Sequence, residues 1–137
     1  MNLTVNKLVK EIINLIPKYK IFILNGILGA GKTTLVKKIA KKLKIKENLI
    51  SPTFILWQKY SFKIKNKNYF LNHIDLYRVN VKDILKLNFL KEINNKKNIF
   101  FIEWGEKLKS LLKKRKIKYI EIVIKKDGYK RTYFLIK

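Results

Sequence analysis

Residues Gly26-Ile27-Leu28-Gly29-Ala30-Gly31-Lys32-Thr33 have the spacing G-x-x-x-x-G-K-[ST], the pattern of a phosphate-cradling loop. Glycines let the backbone turn its N–H groups inward around anionic oxygens, in conformations that a side chain would block. Lys32 is placed to reach the β- and γ-phosphates of a nucleotide, and the Thr33 hydroxyl to ligate Mg²⁺. The helix that follows would aim its positive end at the anion. Gly26, Leu28, Gly29, Ala30, Gly31, Lys32, Thr33 and the adjoining Thr34 are therefore the expected ATP contacts. Chance predicts about 0.002 such matches in a chain of this composition, and the alternative is a glycine-rich turn between strand and helix.

Acids are scarce, nine in 137 residues, so their placement carries information. Glu103 follows the apolar run Ile99-Phe100-Phe101-Ile102, and Asp75 ends residues 69–74 in the same way. A carboxylate at a strand end is what positions Mg²⁺ or a water in phosphoryl-transfer sites. Each could instead cap a helix or pair with a lysine. Lys32, Asp75 and Glu103 are the candidate catalytic groups, and Thr33 and Glu103 the candidate metal ligands. Ser51-Pro52-Thr53 reads either as a switch loop near the γ-phosphate or as an ordinary turn. Arg78 and Arg131 could stabilise phosphate charge or form surface ion pairs. Trp104 reads as core packing with stacking as the alternative, and His73 as packed or hydrogen-bonded rather than catalytic.

These residues need elements to hold them. Residues 4–16 have helical apolar spacing, with Thr4 as N-cap and Pro17 as stop. Residues 20–25 read as a buried strand, and 32–44 as an amphipathic helix with lysines outward. Strands are expected over 54–63 and 69–75, joined by Lys65-Asn66-Lys67-Asn68. Residues 82–93 and 106–114 read as helices, and 98–103 as a strand. Residues 117–125 and 129–136 form a hairpin across Asp127-Gly128. The alternation implies one α/β domain over 1–137. Its expected form is P-loop NTPase-like, a mainly parallel central sheet flanked by helices with antiparallel C-terminal hairpin strands.

The net charge of +24 invites a nucleic-acid reading. Yet of 33 Lys and Arg, arginine stands only at Arg78, Arg115 and Arg131, and alanine only at Ala30 and Ala40. An A/T-rich coding sequence accounts for that lysine excess, and arginine, the better phosphate and base reader, is not enriched. Most lysines are read as solvated surface, although RNA would be attracted at low salt. Cysteine is absent and His73 is the single histidine, which argues against a zinc site. No run of ~20 apolar residues suggests a membrane span, and the N-terminus lacks signal-peptide features. A cytoplasmic location is expected.

Taken in order, GILGAGKTT, SPTF, HIDLYR and IEWGE are similar to the motifs of the bacterial tRNA threonylcarbamoyladenosine biosynthesis ATPase family TsaE. The resemblance runs from Thr4 to Arg131. It implies a weak Mg²⁺-dependent ATPase needed for threonylcarbamoyladenosine formation beside the tRNA anticodon, acting on a TsaB–TsaD complex and meeting tRNA only through it. By position, Thr33 and Glu103 match Mg²⁺ ligands, Asp75 an ATP-site or catalytic carboxylate, and Thr53 the switch threonine. Trp104 matches the tryptophan of the Ile-Glu-Trp motif. Thr4 lies near where the adenine is held, and Arg131 matches a C-terminal arginine. Ile27 stands where the family usually has Asp or Glu, and Asn88 where it usually has glycine. Two other readings remain, a small-molecule kinase and a basic RNA-binding protein. The first would need an acceptor pocket and an arginine-bearing lid, for which three arginines leave little provision.

Overall fold

A computed structural model describes residues 4–27, 29–47 and 56–137. The elements are α1 (Val5–Leu15), β1 (Ile21–Asn25), α2 (Lys32–Lys42), β2 (Trp57–Ile64), β3 (Lys67–Asp75), α3 (Val81–Leu85), α4 (Phe89–Ile93), β4 (Asn98–Glu103), α5 (Lys109–Lys114), β5 (Ile120–Asp127) and β6 (Lys130–Ile136). Six strands form one sheet in the order β2-β3-β4-β1-β5-β6. The inner pairs β3–β4, β4–β1 and β1–β5 are parallel, and the outer pairs β2–β3 and β5–β6 are antiparallel. The mainly parallel sheet with a C-terminal hairpin agrees with the expected fold class.

Strand alternation divides the core into two layers. Phe22, Leu24, Leu71, Ile99, Phe101, Ile120 and Ile122 pack under α1 and α2. Ile21, Ile23, Ile74, Phe100 and Ile102 pack on the other face with residues of α3, α4 and α5. Phe22 and Phe101 stack in the first layer at 4.9 Å between ring centroids. Burying each large apolar side chain contributes about 1.5–3 kcal/mol, so β1 and β4 are held as a rigid base at the centre. Their carboxyl ends, with that of β3, open on one edge, where ligands bind in α/β sheets.

The structure corrects two helix assignments. Residues 82–93 are not one helix. Asn80 caps α3 with a reciprocal Asp83 contact, and Asn88 then takes a left-handed conformation (φ 61°) that ends the run before α4. Asparagine tolerates that region better than other non-glycine residues. Residues 106–114 are likewise divided, into a 3₁₀ turn (Gly105–Leu108) and the shorter α5. Trp104 is itself left-handed (φ 58°) and turns the chain sharply after Glu103. The link between β2 and β3 is a two-residue turn with positive φ at Lys65 and Asn66, the pairing that suits hairpin twist.

Candidate phosphate and magnesium site

β1 ends at Asn25 and α2 begins at Lys32, so the glycine loop is stretched between a buried strand and a helix N-terminus. Gly29 (φ 79°) and Gly31 (φ 103°) are left-handed, and Gly31 is the N-cap of α2. Residues with a Cβ rarely adopt these angles. The Arg131 Nε donates to the Ala30 carbonyl at 2.9 Å, and its guanidinium lies over Gly31. The last strand is thereby tied to the loop.

Lys32 is buried, at 5% exposure. Its ammonium donates to the carbonyls of Gly26 (2.5 Å) and Ile27 (3.1 Å). It also lies 4.0 Å from the centroid of the Trp104 ring, a cation–π approach. Burial pulls its pKa below 10.5, while Glu103, Asp75 and Glu106 act in the opposite direction. The lysine head is thus dehydrated and held inside the loop, where anionic oxygens would be stronger partners than neutral carbonyls.

Parallel pairing places Asp75 in register with Glu103, so two adjacent strands each end in a carboxylate on the face covered by α2. Glu103 is 4% exposed. Its Oε2 accepts from the Thr33 hydroxyl at 2.7 Å and lies 2.6 Å from the Nε2 of the fully buried His73. The Asp75 Oδ1 accepts from the Tyr77 N–H at 2.9 Å. Beyond it, Lys107 donates to the carbonyls of Leu76 (2.7 Å) and Val79 (3.0 Å), pinning the segment that carries Tyr77 and Arg78.

A cleft of about 430 Å³ collects most of these groups. It is lined by Gly29, Gly31, Lys32, Thr33, Thr34, Asp75, Tyr77, Arg78, Glu103, Trp104 and Arg131. The sequence-predicted residues on α2, at the two strand ends and on β6 therefore converge. Gly26 is tied to them through Lys32, and Ala30 through Arg131. Thr4 is not among the lining residues; its hydroxyl caps α1, accepting from the Lys7 N–H at 3.3 Å. Leu28 and Thr53 lie outside the described residues.

Trp104 meets both of its readings. It is half-buried, and besides packing on the core its ring faces Lys32 and lies 5.0 Å from that of Tyr77. The left-handed turn after β4 swings it into the cleft. Tyr77 and Lys107 were missed altogether, because nothing in local spacing distinguishes them from surface residues.

Among the described residues, no group of three His, Asp or Glu side chains could cage a metal. Mg²⁺ does not require one. It takes one or two protein oxygens and leaves its other positions to phosphates and water. The Thr33 hydroxyl beside the Glu103 carboxylate fits that demand.

The family model described as "Threonylcarbamoyl adenosine biosynthesis protein TsaE" matches residues 2–133. Relatives bearing the name tRNA threonylcarbamoyladenosine biosynthesis protein TsaE include one from Rickettsia felis, 40% identical across 77% of this chain and 60% of its own length. Another, from Nostoc, is 40% identical across 64% of this chain and 54% of its own. A third, from Aquifex aeolicus, is 43% identical across 74% and 69%. The chain thus spans little more than half the length of the first two. No helix among the described residues is long and apolar enough to cross a membrane.

Proposed function

This chain belongs to the threonylcarbamoyl adenosine biosynthesis protein TsaE family, and on that footing we propose that it binds ATP with Mg²⁺ and hydrolyses it slowly in support of tRNA threonylcarbamoyladenosine formation. The supporting observation is the hydrogen bond from the Thr33 hydroxyl to Glu103, which joins the end of the glycine loop to an acidic strand end beside Lys32.

The loop amides and the ammonium of Lys32 would bind the β- and γ-phosphates. To do so Lys32 exchanges two carbonyl contacts for charged oxygens without leaving the loop. Thr33 and Glu103 would hold Mg²⁺, which supplies Lewis-acid neutralisation of the phosphate oxygens when bound. Asp75, at the neighbouring strand end, has the position to orient the attacking water, with Glu103 as the alternative for that role. Arg131 spends its Nε on Ala30, so it stiffens the loop at least as much as it contacts phosphate. With Arg131 committed in this way and no arginine finger yet supplied by a partner, hydrolysis unaided should be slow.

A partner that completes the site would raise the rate. TsaB- and TsaD-type proteins are the proposed partners, tRNA is reached through them, and the setting is the cytoplasm. Titration with ATP and Mg²⁺, then turnover with and without the TsaB–TsaD pair, tests this reading. Binding with stimulation is expected; failure of the wild-type chain to bind nucleotide would overturn it.

A further inference from the structure

The candidate metal carboxylate is held from behind as well as in front. Leu71, His73 and Asp75 alternate on the face of β3 that α2 covers, while Asn72 and Ile74 point to the other layer. His73 is completely buried, does not line the cleft, and brings Nε2 to 2.6 Å from Glu103 Oε2. That oxygen also takes the Thr33 hydroxyl, so α2, β3 and β4 meet at a single atom. Among the described residues the other ring nitrogen, Nδ1, has no hydrogen-bond partner.

A hydrogen on Nδ1 would be a buried donor with no acceptor among the described residues, which is costly. The proton therefore belongs on Nε2, where Glu103 accepts it. Gln58 strengthens the assignment. It is the residue directly opposite His73 on β2, and directly opposed residues share a face. Its amide nitrogen is also buried without a partner among the described residues. A bare acceptor at Nδ1 on the residue opposite a spare donor is complementary; two donors would not be.

We propose that His73, donating through its Nε2–H, is a positioning residue. It clamps the Glu103 carboxylate so that the Thr33–Glu103 pair is set for Mg²⁺ before nucleotide arrives. The proposal rests on the reading of Glu103 as a metal-side carboxylate. Hydrogen bonds behind a ligand fix its orientation, and losing one typically lowers metal affinity about 10–100-fold.

Because His73 is the single histidine, the resting protein reports on it without ambiguity. A long-range ¹H–¹⁵N spectrum should show the proton on Nε2; an Nδ1–H tautomer would overturn the proposal without any variant being made. Two variants add a functional readout. His73→Leu removes the donor, and His73→Gln keeps an N–H that can reach the same oxygen. With a non-hydrolysable ATP analogue, Mn²⁺ affinity read by EPR should fall about 10–100-fold in H73L and largely return in H73Q. Analogue affinity measured in EDTA should stay near the wild-type value in both. Wild-type Mn²⁺ affinity in folded H73L, or equal loss in both variants, would overturn the proposal. Should H73L not fold, H73Q and the spectrum still decide. Failure of the wild-type chain to bind the analogue at all would instead sink the ATPase reading and is read separately.

Discussion

Two polar clusters are buried in opposite layers of the same sheet, and they are satisfied to different degrees. In the α3–α4 layer Asn72 donates to Asn98 Oδ1 (3.1 Å) and to the carbonyls of Phe70 (3.2 Å) and Ile99 (3.4 Å). Its Oδ1 accepts from the Trp57 indole at 2.9 Å. Asn98 passes the chain on to the backbone and carboxylate of Glu92 (2.9 and 2.7 Å), and Lys59 pairs with Glu92 at the rim. In the α2 layer the lysine head rests on its own loop, and His73 and Gln58 each keep a nitrogen without a partner among the described residues. A network with every amide group answered serves the fold. One that keeps a dehydrated cation and spare polar atoms costs stability and is the kind of site that natural proteins retain for function.

That contrast can be broken first at Lys32. Lys32→Met is expected to weaken ATP binding by about 100-fold or more, since it removes the charge-assisted contacts to phosphate; calorimetric titration checks this. The folded protein should be no less stable. Burial lowers the Lys32 pKa in the native state, so the unfolded chain holds that proton more tightly, and the charged form costs stability at neutral pH. The cost disappears only as pH rises between the lowered pKa and 10.5. Methionine removes it outright. For the same reason wild-type nucleotide affinity should fall as pH rises through the lowered value, before 10.5 is reached.

The opposite outcome is expected at Asn72. Asn72→Leu strands the Trp57 N–H and one side of Asn98, and should cost about 2–4 kcal/mol in urea unfolding, with nucleotide affinity unchanged. Loss of binding in that variant would show that the two layers are coupled. Trp104→Ala should have a smaller effect, weakening ATP binding by about fivefold, as suits a cation–π contact worth roughly 1 kcal/mol; fluorescent-nucleotide displacement measures it. The smallest effect concerns Glu92, whose carboxyl is held below 4.5 by Asn98 and then by Lys59. That contribution is present above pH 4.5 and lost as pH falls through the lowered value. Urea midpoints of wild type and Glu92→Gln should therefore converge in acid.

Contiguous residues determined much of this molecule. The glycine loop, the apolar runs feeding Glu103 and Asp75, and the Asp127-Gly128 hairpin are local patterns, and 98–103 reads as the strand observed, because one stretch of chain carries the whole signal. Helix breaks were less legible. Asn88 and Trp104 adopt left-handed angles that their types permit without requiring, and packing against the finished sheet selects them. Tertiary structure alone decided the convergence at Glu103 Oε2, where partners lie 70 and 30 residues away along the chain. Whether Thr33 and His73 reach the same atom depends on which strands lie side by side and in what register. A shift of one residue in β3 would have turned His73 into the opposite layer.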